Sequence, residues 1–146
     1  SSMRLGLLYN NELVAAMTFG KPRFNQEYEY ELIRYSTSCH VLGGAGKLLD
    51  YFSKEFKPSG IITYADRCWS YGNLYKTLGF RKVSSSGPNY VYVKANLILT
   101  RYQCQKHKLK RVLGEDVFND KLSESDNMHN AGFVKIYDCG NLTFMK

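Results

Sequence analysis

Hydrophobic and polar positions change their period several times along the 146-residue chain, and each change marks an element. Residues 5–9 (LGLLY) and 13–19 (LVAAMTF) are apolar runs separated by Asn10-Asn11-Glu12. Asn tolerates positive φ, so this pattern predicts a β-hairpin with a tight turn at the Asn pair. Residues 20–26 (GKPRFNQ) read as a loop carrying Lys21 and Arg23. Residues 28–36 (YEYELIRYS) predict a third antiparallel strand, with Glu29, Glu31 and Ile33 on one face and Tyr30, Leu32 and Arg34 on the other. The period then lengthens. In VLGGAGKLLDYFSKEF (41–56) Leu49, Phe52 and Phe56 recur at helical spacing behind a glycine-rich turn, and KPSG (57–60) closes the helix. Residues 61–65 (IITYA) are wholly apolar, as in a buried central strand.

A second helix is predicted over residues 70–78 (SYGNLYKTL), with Tyr71, Leu74, Tyr75 and Leu78 on one face and Gly79 as its stop. Residues 80–83 and 90–93 read as two further strands. The last third is different in character. Residues 101–113 (RYQCQKHKLKRVL) form a basic segment without an acid. Ser123-x-x-Asp126 opens a short capped helix that Gly132 stops. Residues 133–144 read as two short strands around Asp138-Cys139-Gly140-Asn141, a hairpin or sheet extension. The fold class is therefore α/β in the broad sense, a mixed α+β sheet, with a core over residues 4–95 and a basic extension over 96–146 packed on it.

Composition narrows the function classes. An apolar share of 44% suits a compact domain able to bury a core. The net charge of +7 favours a polyanionic partner, nucleic acid or a CoA-type ligand, against the bland reading of a solvated basic surface. Cys39, Cys68, Cys104 and Cys139 lack the clustered spacing of zinc ligands, so no metal is expected and the thiols suit a reducing compartment. No apolar run is long enough to cross a membrane. Ser1-Ser2-Met3 reads as an artificial leader joined to a piece of a longer protein.

The glycine turn carries the first chemistry. Val41, Leu42, Gly43, Gly44, Ala45, Gly46 and Lys47 place bare backbone amides at a helix N-terminus, where the helix dipole favours an anion. It is not a Walker A loop, because Leu48 stands where Ser or Thr is required. It is not a dinucleotide fingerprint, because Leu49 stands at the third glycine. A plain strand-to-helix turn is the alternative reading.

The second helix adds the context. GGAGKLL opening a helix, then a strand, then GNLYKTLGF, resembles the Gcn5-related N-acetyltransferase (GNAT) superfamily. Gly44-Ala45-Gly46 matches the G-x-G/A half of that family's Q/R-x-x-G-x-G/A signature, with Val41 at the Q/R position. LYKTLGF (74–80) reproduces its L-Y-x-x-L-G-F ending, and Glu31-Leu32 is also similar. The resemblance implies a sheet splayed open between the strands at 28–36 and 61–65. Acyl-CoA would lie in the splay with its pyrophosphate on the amides of residues 43–47. It also implies that the family's first strand and first two helices lie upstream of Met3. By the same resemblance Tyr75 is the general acid for the departing thiolate, or else a packed tyrosine; Glu31 or Asp66 takes the amine's proton, or else is a surface carboxylate. Arg34 and Arg67 would pair with these acids or hold an anionic substrate.

The strings ELIRYSTS, ITYADRCWSYGNLYKTLGF, QKHKLK and IYDCGNLTF further resemble the C-terminal GNAT-like domain of phage homing-endonuclease-like proteins. Tyr64, Ala65, Asp66, Gly72 and Tyr75 are similar in arrangement to Mom-type DNA-modification proteins. These resemblances imply an upstream nuclease domain, a cytoplasmic location in a host cell, and DNA as partner. Arg67, Arg101, Lys106, Lys108, Lys110 and Arg111 would then contact phosphates, with Tyr102 and the tyrosines at 90 and 92 stacking on unpaired bases. Two functions follow from the chain: acyl transfer from acyl-CoA to an amine, including one on nucleic acid, or a non-catalytic GNAT-like module that targets a nuclease to DNA.

Overall fold

The structure, a computed structural model, describes residues 3–146. It is a mixed α+β protein of mostly antiparallel strands and few helices. The chain divides into two compact units. One runs through Ser86 and is completed by Asn141–Lys146; the other is Gly87–Gly140. Ser1 and Ser2 of the expected leader lie outside the described residues, whereas Met3 is the first residue of strand β1 and packs against the core.

The first unit is a six-stranded sheet with two helices. β1 (Met3–Tyr9) and β2 (Glu12–Gly20) form the expected hairpin, turning at Asn10 and Asn11 with φ of 48° and 64°. β3 (Tyr30–Thr37) lies antiparallel to β2. Helix α1 (Gly44–Phe56) crosses over to β4 (Ile61–Asp66), which runs parallel to β3. Helix α2 (Asn73–Thr77) and β5 (Arg81–Ser85) follow. The core joins Met17, Phe19 and Leu32 of the sheet to Leu48, Leu49 and Phe52 of α1, with the Phe19 and Phe52 rings stacked at 3.6 Å. Phe56, expected in that stripe, is 40% exposed: it is the last residue of the helix, its ring beside Phe52 at 5.0 Å.

The second unit contains β6 (Tyr90–Lys94), β7 (Leu97–Thr100), α3 (Lys106–Leu113), α4 (Glu124–Asn130) and β8 (Val134–Tyr137). The strands form a sheet in the order β7-β6-β8. Its core is Tyr92, Leu99, Cys104, Leu109, Met128 and Phe133. Burial raises the Cys104 thiol above its ordinary range. Ser123 caps α4 as expected, its Oγ accepting from the Asp126 amide at 3.1 Å.

Four features differ from expectation. Residues 133–144 are not a hairpin: β8 pairs with β6, while β9 (Asn141–Met145) inserts between β4 and β5 of the first unit. The last strand therefore belongs to the core sheet and not to a C-terminal extension. The α2 helix is shorter than residues 70–78. Gly72 precedes it with φ 73°, pressed on Phe144, which leaves Tyr71 outside the helix and 76% exposed. Strand β7 lies where no strand was expected, across a turn in which Ala95 takes φ 49°. Finally, the face assignment of β3 changes phase. Thr18 pairs with Arg34 but Phe19 with Leu32, so Ile33 is an extra, bulged residue. Tyr35 thereby joins the core and Arg34 is exposed.

Candidate functional site

The glycine turn is built as an N-terminal amide cradle. Gly43 caps α1 in the left-handed region at φ 68°, a conformation that costs a side-chain-bearing residue energy. No side chain caps the helix. The Gly44 amide reaches Val41 O at 3.3 Å and the Lys47 amide reaches Gly43 O at 3.0 Å. Among the described residues the Ala45 and Gly46 amides find no acceptor. They are two of the donors every helix start leaves over. Gly44 is required for packing: a Cβ there would stand 2.8 Å from Val41 Cγ1 and 3.0 Å from the Tyr35 hydroxyl. Val41 thus packs over the turn and Leu42 is 83% exposed. Lys47 borders two hollows. One, of about 400 Å³, is lined mainly by Leu7, Leu8, Val14, His40 and Val41; the other, of about 420 Å³, by Arg4, Leu5, Leu48 and Tyr51.

Beside this turn the sheet opens. β3 and β4 pair only at Tyr30↔Ile61, Glu31↔Ile62 and Leu32↔Thr63. The Thr63 hydroxyl closes the pairing with a 2.7 Å bond to Leu32 O. Past that point β3 runs on to Thr37 held by β2, and β4 runs on to Asp66 held by β9. The bulge at Ile33 sits where the two strands part. The edge of β3 beyond Leu32 therefore presents peptide groups toward β4 with no strand to receive them.

The expected acids are in different circumstances. Glu31 is fully buried, and Arg23 holds both of its oxygens. That bond, opposed by some burial, raises the Arg23 guanidinium above its ordinary range. Burial first, and the Glu31 charge second, raise the Tyr64 phenol, whose ring meets Phe24 edge-on at 5.6 Å. Asp66 ends β4 and is exposed; its Oδ1 accepts from the Cys68 amide at 2.8 Å, fixing the turn toward α2. Tyr75 is half-buried on α2, its ring 5.5 Å from Phe144 and 5.9 Å from Phe80. Arg34 makes no ion pair among the described residues, and Arg67 lies exposed on the turn after β4. The sequence offered no sign that Arg23, on a loop, would be the partner of Glu31.

The basic residues of the second unit are only partly displayed as a row. Lys106, Lys108, Lys110 and Arg111 lie on α3, whereas Arg101 precedes it in a turn. Lys110 pairs with Glu115 at 2.9 Å. Lys108 turns back onto Tyr102, donating to its carbonyl at 3.0 Å with Nζ 3.1 Å from the ring centroid. Arg101 stands 5.4 Å from the Tyr90 ring, and Lys135 only 4.0 Å from it. Lys135 and Tyr137 are missed by sequence reasoning; only the register Tyr92↔Lys135 and Tyr90↔Tyr137 brings them in.

Among the described residues no cluster of His, Cys, Asp and Glu is suited to a metal ion, and no helix is long and apolar enough to cross a membrane. No protein-family model matches the chain. No curated protein matches it in sequence.

Proposed function

We propose that the first unit is a GNAT-like acyltransferase domain that passes an acyl group from acyl-CoA to an amine, with an amine on nucleic acid as an acceptor. The observation that carries this reading is the opening between β3 and β4 beside the unpartnered Ala45 and Gly46 amides. Those amides and the α1 dipole suit a pyrophosphate. The free edge of β3 suits an amide-bearing arm that can pair with it as a strand would.

In this reading Asp66, which has one carboxylate oxygen outside the turn hydrogen bond, takes the proton of the attacking amine as the new N–C bond forms. Tyr75 gives its phenolic proton to the thiolate released as the C–S bond breaks, and recovers one from solvent. Glu31, held by Arg23, positions the start of the splayed strand. Titration calorimetry with acetyl-CoA and CoA tests the cradle. Tyr75→Phe is expected to keep CoA binding and lower thiol release about a hundredfold. Absence of any CoA-dependent thermal shift at millimolar ligand overturns the reading.

One observation favours a second function, a non-catalytic module that targets an upstream nuclease to DNA. Arg23 closes over the acid that would otherwise be a second base, Glu31. In that case the chain binds nucleic acid without CoA, and its affinity falls steeply with salt.

A further inference from the structure

We infer that the second unit carries a binding surface for single-stranded nucleic acid, formed by Tyr102, Tyr137 and Tyr90 with Arg101, Lys108 and Lys135. This deepens the nucleic-acid part of the function proposed above and depends on it; it does not depend on CoA.

Two of the rings stand open to solvent: Tyr102 is 70% exposed and Tyr137 61% exposed. Each offers a flat ring face and a polar hydroxyl to solvent, and it is their company of cations, not their exposure alone, that sets them apart. Tyr137 meets the Tyr90 ring edge-on at 5.7 Å. Two cations stand near the Tyr90 ring, Arg101 at 5.4 Å and Lys135 at 4.0 Å from its centroid. Lys108 completes the set over Tyr102, the residue next to Arg101. Each ring thus has a cation beside it by cation–π contact, the Tyr90↔Tyr137 register joins two of the rings, and Arg101, at Tyr90, is the chain neighbour of Tyr102. Of the acids beside the cluster, Glu124 has Oε1 committed to the Tyr90 and Tyr92 hydroxyls at 2.8 and 3.2 Å, and Asp138, next to Tyr137, has Oδ1 committed to the Asn89 and Gly140 amides at 2.7 and 2.8 Å.

The chemistry selects the partner. A base offers a π-face to an exposed tyrosine only when it is unpaired, and the phosphate beside it needs a cation close to that ring. A duplex hides those faces and is read by an element laid in a groove. Helix α3 is poorly disposed to enter a groove, because Lys108 is turned back onto Tyr102 and Lys110 is paired with Glu115. The surface therefore fits a short run of unpaired nucleotides, with stacking independent of base identity.

The test is fluorescence anisotropy of the whole chain with labelled twelve-residue oligo-dT, oligo-rU and a twelve-base-pair duplex. One or both single strands are expected to bind at least about tenfold tighter than the duplex, and the tighter of the two names the sugar. Tyr102→Ala with Tyr137→Ala is expected to weaken single-strand binding about tenfold or more, while Tyr102→Phe with Tyr137→Phe restores it. Arg101→Ala and Lys135→Ala are expected to flatten the salt dependence, by about 0.7 in log–log slope for each phosphate no longer neutralised. Circular dichroism confirms that the alanine variant is folded; if it is not, the single-strand-to-duplex ratio of the unmodified chain decides. Duplex binding equal to or tighter than single-strand binding, or a folded alanine variant that binds undiminished, overturns this inference alone. Failure to bind any of the three probes overturns both it and the nucleic-acid part of the proposed function.

Discussion

Arg23 grips Glu31 from two directions at once. Its Nη2 and Nε donate to Oε1 at 2.6 and 2.9 Å, and its backbone amide donates to Oε2 at 2.8 Å. The carboxylate is buried, while the arginine side chain is 59% exposed. The pair therefore fastens the loop after β2 to the strand that begins the splay. Arg23→Ala leaves the buried carboxylate with a single amide donor. Removing one partner of a buried pair typically costs 3–5 kcal/mol, and the solvent reaching Arg23 brings the expectation down to about 2–3 kcal/mol. Glu31→Gln keeps an acceptor and is expected to cost less. Urea midpoints at constant slope measure both changes.

Two glycines predict opposite outcomes for the same added methyl. At Gly72 a Cβ would stand 2.2 Å from Phe144 Cζ, and φ is 73°. Phe144 is fully buried and sits on β9, flanked by strands on both sides, so it has nowhere to go. Gly72→Ala is expected to cost about 3 kcal/mol or more from overpacking and backbone strain together. At Gly46 a Cβ meets nothing within 4 Å. There, in the first turn of α1, alanine is expected to stabilise by about 0.5–1 kcal/mol. Thermal midpoints of the two variants, measured side by side, are predicted to move in opposite directions.

Much of the first unit is legible in the sequence because local chemistry dictates it. The Asn10-Asn11 turn, the glycine turn at Gly43 and the stop at Gly79 are positions where positive φ selects the residue type. The bulge at Ile33 is not legible, since Ile33 and Arg34 both suit a strand and the phase break is set by pairing with β2. The place of β9 is hidden for a related reason. Its partners, at Ile62–Asp66 and Arg81–Ser85, are far away in sequence, and the intervening unit interrupts the pattern. The turn after β6 is hidden because Ala95, not a Gly or Asn, takes its first, positive-φ position, and the Asn stands second, at Asn96. For the site, the spacing of Gly43, Gly44 and Gly46 exposes the cradle, but the grip of Arg23 on Glu31 runs through a loop that no period describes. Lys135 is a lone cation in a short strand, and only cross-strand register sets it beside Tyr90.

Asn127 organises the second unit more than its polarity suggests. It is 1% exposed and sits just inside α4. Its Oδ1 accepts from the Asn119 amide at 2.8 Å, and its Nδ2 donates to Asn119 O at 2.8 Å and Ser123 O at 3.0 Å. One side chain thus satisfies the loop that leads into the helix. Asn127→Leu leaves the Asn119 amide without its acceptor and replaces a buried amide that bridges the loop, while Asn119 O and Ser123 O keep the Leu122 and Asn127 amides, so a loss of about 2 kcal/mol is expected. Ser123→Ala, which removes only the cap, is expected to cost about 1 kcal/mol. Amide exchange across residues 117–123 should rise strongly in the first variant and little in the second.

Alkaline titration probes the same unit from another side. Burial, followed for Tyr90 by its bond to Glu124, raises the Tyr90 phenol above its ordinary range; burial also raises Tyr92 against the opposing influence of Lys135. Burial pulls Lys135 down, but its bond to Tyr92 and the nearby tyrosines outweigh that and raise it overall. For each group the folded state holds its proton to a higher pH than the unfolded chain does. The stabilising contribution is therefore complete below about pH 10, the range of free phenol and ammonium groups, and disappears as pH climbs through the folded values. Stability is expected to be insensitive to these groups between about pH 6 and pH 9, then to fall steeply in alkali. Tyrosinate absorbance should show a late-ionising fraction beyond the ordinary phenol step. Tyr92→Phe is predicted to shrink that fraction, because it deletes the hydroxyl of a residue that is 1% exposed while keeping the ring itself in the core. If every tyrosine of the folded chain ionised together near about pH 10, before unfolding, the cluster of Tyr90, Tyr92 and Lys135 would not hold its protons as the structure requires.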